Sequence, residues 1–222
     1  MGRSPRVDVG GYAYHILNRA NARLPIFFKE KDYVLFEEIL REGVRKHDMR
    51  LLAYCFMPNH FHLVLHPKDD GDIQQFMQWV TLTHTQRWHL SKGTTGTGHL
   101  YQGRYKSFIA QTDNHLLAVI RYVERNPLRA KLVKKAENWR FSSLFWKHAQ
   151  KSQDFLSEWP ISEPKDYISF VNTPVTATEL EEIRGCLQKG KPFGKEGWVN
   201  KKINEFHLHT TTRDRGRPKK GT

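Results

Sequence analysis

The stretch FMPNHFHLVLHP, Phe56 to Pro67, sets two imidazoles, His60 and His62, two residues apart in an otherwise apolar run. In a β-strand, residues at that spacing point to one face about 6.6–6.8 Å apart along the chain, while Phe61 and Leu63 turn to the other. Imidazole fills a core poorly, but two rings so placed can converge on one cation. The pair alone does not establish a metal site, because sheet histidines are often only hydrogen-bonded. A third ligand has to come from elsewhere.

The run TDNHLLAVIRYVERN, Thr112 to Asn126, can supply it. Read as a helix, it puts Tyr122 and Asn126 four apart on one face, extended by His115 and Val119. Leu116, Ile120 and Val123 form a separate apolar stripe suited to the core, which leaves Tyr122 on a face turned away from it. Two imidazoles and one amide oxygen can hold a divalent ion with open positions for phosphate oxygens. A phenol within a helical turn of that ion is a candidate nucleophile.

Charge points the same way. The chain of 222 residues carries a net +13, concentrated in two blocks: residues 98–151 hold 11 basic against 3 acidic side chains, and residues 199–222 hold 7 against 2. Such blocks suit a surface that neutralises phosphates, although a solvated basic face would have the same composition. Arg104, Lys106, Arg121 and Arg125, with Arg129 and Lys131, lie near the candidate site along the chain, and Arg19 and Arg23 belong to the polar run NRANAR. The tail RDRGRPKK, with Arg213, Arg215, Arg217 and Lys219, fits either a minor-groove arm or an electrostatic tether. Either form would raise affinity and salt sensitivity.

The elements that must position these residues are readable in part. YAYHILNRA (Tyr12 to Ala20) has strand-like content, and Arg50 to Met57 and His60 to Pro67 are β-prone runs split by Pro58-Asn59, which implies a hairpin. Glu30 to Asp48 and Asp69 to Leu90 read as amphipathic helices, the second carrying Ile73, Phe76, Met77, Val80 and His84 on one face. Tyr101 to Gln111 looks like a basic strand. Thr112 or Asp113 is the expected N-cap of the Tyr122 helix, and Pro127 its end. The order implies an α+β fold: an antiparallel sheet with helices packed on one side. After about Gln150 the composition shifts, with one short helix expected in TATELEEIRGCLQKG before the basic tail. Trp139, Phe141, Phe145 and Trp146 read as core rather than as a base-stacking platform.

Other classes recede. No apolar run reaches the roughly 18 residues of a membrane span, and the N-terminus lacks a signal-peptide core. Cys55 and Cys186 alone make no disulfide framework. No phosphate-binding glycine loop for a nucleotide cofactor is present. A soluble, cytoplasmic protein, nucleoid-associated through DNA, is expected.

These residues resemble a known family. MPNHFHLVL is similar to the histidine–hydrophobe–histidine signature of the HUH single-strand DNA endonucleases. GHLYQGRYKS followed by RYVERNPLRAKLV resembles the REP-associated tyrosine transposases, as do YHILNRANAR, WRFSSL and LQKGKPFGKEGW. One departure is Ala20, where that family commonly has glycine. The resemblance implies His60 and His62 as metal ligands, Asn126 as the third, Tyr122 as nucleophile, and Mg²⁺ or Mn²⁺ as the ion. Imidazole ligands favour Mn²⁺, since Mg²⁺ prefers oxygen. It further implies the RNA-recognition-like HUH fold over residues 1–150, a C-terminal helical extension over 151–205 and a basic tail over 206–222. The implied partner is single-stranded DNA with a REP-type hairpin, cleaved through a 5′-phosphotyrosine. A monomer is favoured because one short chain carries every group, with helix exchange in a dimer as the alternative. The competing reading from another class is a hairpin-binding protein with a vestigial site.

Overall fold

Four antiparallel strands, β1 (Ala13–Arg19), β2 (Arg50–Met57), β3 (His60–His66) and β4 (Lys106–Ala110), form one sheet in the order β2-β3-β1-β4. The computed structural model describes residues 6–151 and 153–212. The β2-β3 hairpin turns at Pro58-Asn59, as expected. Its register shifts between Leu51 and Ala53, so one extra residue, Leu52, bulges from β2. The turn register sets Met57, Cys55 and Ala53 opposite His60, His62 and Val64, on one face, and beyond them the bulge sets Leu51 opposite Leu65.

Two cores sandwich this sheet. On one face Tyr14, Ile16, Tyr54, Phe56, Phe61, Leu63 and Leu65 pack under α1 (Glu30–His47) and α2 (Asp72–Lys92). On the other, Leu17, Cys55, Val64 and Phe108 pack under α3 (Asn114–Glu124). The helices therefore cover both faces, which corrects the expectation of a one-sided sheet. The physical reason is legible afterwards: β2 and β3 are buried almost throughout, and a strand covered on both faces shows an unbroken apolar run rather than alternation.

The Asp113 side chain caps α3 by accepting from the His115 amide. The helix breaks at Arg125, and a one-turn helix, α4 (Asn126–Arg129), starts with Pro127 in its first positions. Pro127 thus begins a new turn, where its missing N–H costs nothing.

After Gln150 the chain does more than the single expected helix. Besides α7 (Ala177–Lys189) it forms α6 (Tyr167–Asn172) and α8 (Glu196–Glu205), while α5 (Ser143–His148) ends just before Gln150. These segments enter both cores through Phe155, Tyr167, Ile183 and Phe193. The chain from Phe141 onward also protects both sheet edges, since an unpaired edge invites association. Phe141 and Ser142 pair with β2, and Phe193 bonds Ile109 and Gln111 beside β4. Trp139 donates its indole N–H to the Phe56 carbonyl, and Phe141 stacks on Tyr33 at 4.1 Å between centroids. Phe141 belongs to the core, as expected, and Trp139 and Trp146 are half-buried against it, whereas Phe145 is half-buried outside both cores. No helix among the described residues is long and apolar enough to cross a membrane.

Candidate active site

Sheet register builds the site in rows. Cys55, His62, Leu17 and Lys106 lie opposite one another across the four strands, and Met57, His60 and Arg19 form the adjacent row. These rows face α3. The hairpin alone puts His60 and His62 on one face, and the two rings meet edge to face with centroids 5.1 Å apart.

Each ring is anchored by one nitrogen. His60 Nδ1 lies 2.6 Å from Asn59 Oδ1, and His62 Nδ1 lies 2.8 Å from His15 Nε2. Ligating histidines commonly tie their second nitrogen to a neighbour in this way. Burial, with the Arg19 and Arg129 cations nearby, pushes His60 down to about 4. Burial first, then His15 and His60, holds His62 well below the ordinary imidazole range. Both rings are therefore neutral near pH 7, with lone pairs available to a cation.

Tyr122 arrives from α3. Its ring stands edge-on to His62 and to His15, with centroids 5.9 and 5.7 Å away. Contrary to the expectation of a face turned from the core, Tyr122 is buried, as are Val119, Ile120 and Val123. The helix is wrapped on several sides, by the sheet and by α6 and the segments after it, so its two expected stripes are both interior.

Asn126 is buried one turn beyond Tyr122. Its Nδ2 donates to the Tyr122 carbonyl at 3.3 Å, and its Oδ1 accepts from Arg129. One lone pair of that oxygen is taken by Arg129, which leaves the other for an ion. Among the described residues no cluster of three His, Cys, Asp or Glu side chains is arranged to hold a metal. The donor set that fits a divalent ion is thus the His60 and His62 pair, with the Asn126 oxygen in reserve. Arg129 also covers the Tyr122 ring, its guanidinium carbon 4.4 Å from the centroid.

The basic residues divide. Arg19, Arg104 and Lys106 line one recess of about 230 Å³ with Leu17, Asn18, Gln102 and Gly103, continuous in register with the histidine rows. Arg23 is exposed in the loop after β1. Arg121 and Arg125 are placed elsewhere. Arg121 donates to the Thr173 carbonyl and lies over the Phe170 ring, and Arg125 donates to the carbonyls of Val171 and Asn172. Their guanidinium groups hold the end of α6, which corrects their assignment to a DNA surface. Arg213, Arg215, Arg217 and Lys219 lie outside the described residues.

Sequence reasoning missed His15 and Asn59. The signal for His15 was a histidine inside the β1 run; its contact with His62 needed the β1-β3 register, which no short-range pattern encodes. Asn59 was read only as a turn residue.

The IS200-like transposase family model matches residues 8–126, more than half of the chain and the part that carries β1 through Asn126. The chain belongs to the IS200-like transposase family, a family of DNA-processing enzymes. Among solved structures, a REP-associated tyrosine transposase bound to a REP hairpin is similar in fold. Its TM-score is 0.57 at 14% identity, over 80% of this chain and 100% of that one. A protein from Deinococcus radiodurans R1, provisionally described as a transposase, gives a TM-score of 0.38 at 15% identity over 69% of this chain and 98% of that one. No curated protein sequence matches significantly.

Proposed function

We propose that this chain is a metal-dependent single-strand DNA endonuclease and strand transferase that binds REP-type hairpins and cuts beside them through a 5′-phosphotyrosine. The observation that carries this reading is the approach of the Tyr122 ring to His62, 5.9 Å between centroids, within a single chain. A REP-associated relative of the same fold is described as bound to a REP hairpin. That likeness favours the same partner here.

In the proposed reaction the Tyr122 oxygen attacks a backbone phosphorus, and the bond from phosphorus to the 3′ oxygen breaks. The phosphate becomes esterified to Tyr122 on the 5′ side, and the departing oxygen leaves as a 3′-hydroxyl after taking up a proton. Attack of a 3′-hydroxyl on the tyrosine ester reverses the step and rejoins strands without an external energy source. A divalent ion held by His60 and His62, Mn²⁺ or Mg²⁺, would supply stabilisation of charge on the phosphoryl oxygens.

Two guanidinium groups support the same reading. Arg19 Nε and Arg129 Nη1 are buried with no hydrogen-bond partner among the described residues. Buried donors left unpaired are uncommon. Arg19 stands opposite His60 and Arg129 over Tyr122, where an incoming phosphate would satisfy both.

Incubation with a hairpin-bearing single strand and Mn²⁺ tests the proposal. A covalent protein–DNA adduct is expected from the wild type and none from Tyr122→Phe, with hairpin binding retained in both. Cleavage without an adduct, surviving in Tyr122→Phe, identifies a water-using nuclease instead. Binding without cleavage under either metal identifies a hairpin-binding protein with a vestigial site.

A further inference from the structure

Asn59 closes the turn before β3, and its side chain joins two parts of the molecule. Its Nδ2 donates to the Arg23 carbonyl at 2.9 Å, and its Oδ1 lies 2.6 Å from His60 Nδ1. A carbonyl oxygen has only lone pairs, so Arg23 dictates which end of the amide carries hydrogen. The other end is then oxygen, and the imidazole nitrogen facing it must be the protonated one. In a neutral ring with its proton on Nδ1, the lone pair belongs to Nε2. That nitrogen has no protein partner among the described residues.

The Arg23 carbonyl is itself well held. The segment from Ala20 to Phe27 lies over the same turn: Ala20 N–H donates to the Asn59 carbonyl at 2.9 Å, and those of Ile26 and Phe27 donate to the Pro58 carbonyl at 2.9 and 3.1 Å. Ala22 and Arg23 adopt φ values of 50° and 58°, a left-handed conformation uncommon for residues with side chains. The carbonyl is therefore tied to this particular loop conformation.

We propose that Asn59 is a positioning residue: the Arg23 carbonyl orients its amide, and the amide holds His60 in the Nδ1–H tautomer with Nε2 presented to the cation. The inference rests on the metal-dependent reading above and adds to it a mechanical link. A loop carrying Arg19 and Arg23 at its two ends, and a metal ligand, are joined through one amide. Had the amide been turned the other way, its NH₂ group would face the ring, drawing the proton to Nε2 and blocking ligation.

Ring ¹⁵N spectra of the metal-free full-length protein report the His60 tautomer directly, with His60→Ala supplying the assignment. The wild type is expected to be protonated at Nδ1. Mn²⁺ titration followed by electron paramagnetic resonance gives the second readout. Asn59→Ala is expected to populate the Nε2–H tautomer and to bind Mn²⁺ about 10-fold or more weakly, the range seen when a ligand's supporting partner is removed. Asn59→Asp keeps an acceptor for Nδ1–H but cannot donate to Arg23, and is expected to retain the tautomer and bind Mn²⁺ within about threefold of wild type. A wild-type His60 protonated at Nε2 overturns the inference alone, and needs no variant. So does a folded Asn59→Ala that keeps both the tautomer and the affinity. Wild-type protein that binds no Mn²⁺ overturns the metal-dependent reading, and this inference with it.

Discussion

His15 and His62 lie parallel across the β1-β3 pair, ring planes 4° apart, with Nε2 of the first 2.8 Å from Nδ1 of the second. One proton serves that contact. For His62 to offer Nε2 to an ion, its Nδ1–H must donate to His15, and His15 then carries its own proton on Nδ1. His15 Nδ1 is buried with no partner among the described residues, so that tautomer leaves its N–H unpaired, a cost that the bond to His62 and the ligation of the ion have to offset. His15→Phe is expected to stay folded while Mn²⁺ affinity and strand cleavage fall about 10- to 100-fold. His15→Gln, which restores an acceptor, should recover part of the loss. Undiminished Mn²⁺ binding in His15→Phe would show that His62 is oriented by packing alone.

Two groups of arginines, alike in sequence, should fail in different assays. Arg104 lines the recess beside the histidine rows, whereas Arg121 holds the Thr173 carbonyl against α6. Arg104→Ala is expected to weaken single-strand binding and reduce its dependence on salt by about one unit in log–log slope, with stability unchanged. Arg121→Ala is expected to cost about 1–3 kcal/mol of stability, because the Thr173 carbonyl loses its charged donor and the Phe170 ring its buried cover, and to leave the salt slope alone. Binding measured at three salt concentrations, beside urea unfolding, separates the two. A salt-slope change in Arg121→Ala would return that residue to the DNA surface.

That division marks where sequence reading stops. The β2-β3 hairpin and the helices α1 and α2 were legible because their signals are short-range: Pro58-Asn59 for the turn, and regular apolar spacing from Tyr33 to Val44 and Ile73 to His84. His60 and His62 share a face for the same local reason. Tyr122, by contrast, has its surroundings set by which elements pack on α3, and helical periodicity is silent once a helix is covered on several sides. The segments carrying α6 and α8 are short and weakly periodic. They are helical because Tyr167, Val171, Val199 and Ile203 find burial, a tertiary cause.

Glu124 belongs with that hidden part. It is a fully buried carboxyl that accepts from the Ser143 hydroxyl at 2.6 Å and from the Tyr167 hydroxyl, so it ties α3 to α5 and α6 at once. Glu124→Ala leaves the Tyr167 hydroxyl unpaired beside a new void and Ser143 with only its bonds to the Tyr54 backbone, and about 2–4 kcal/mol of stability should be lost. Glu124→Gln keeps an oxygen and the volume, and should lose less than half as much. Urea unfolding at fixed pH checks the pair. Equal losses would mean that shape, not hydrogen bonding, decides this junction.

His84 gives the fold a sensitivity to acid away from the candidate active site. Its ring is fully buried under Phe36 and Phe27, centroids 4.6 and 5.6 Å away, and Nδ1 pairs with the Tyr101 hydroxyl. Burial pushes it down to about 3, opposed by the Asp32 carboxylate. An unfolded chain takes up this proton near the ordinary imidazole value of 6.5, while the folded chain refuses it down to about 3. The unfolded state therefore binds more protons in that window. Stability from this residue is complete above about pH 6.5 and declines by about 1.4 kcal/mol per pH unit as the solution is acidified. Between pH 6.5 and 5 the wild type should lose about 2 kcal/mol on this account. His84→Phe fills a similar space without titrating, so its unfolding free energy should fall by about 2 kcal/mol less over the same interval. Urea midpoints measured at both pH values provide the comparison; parallel slopes for the two proteins would mean that His84 takes up its proton without unfolding the chain.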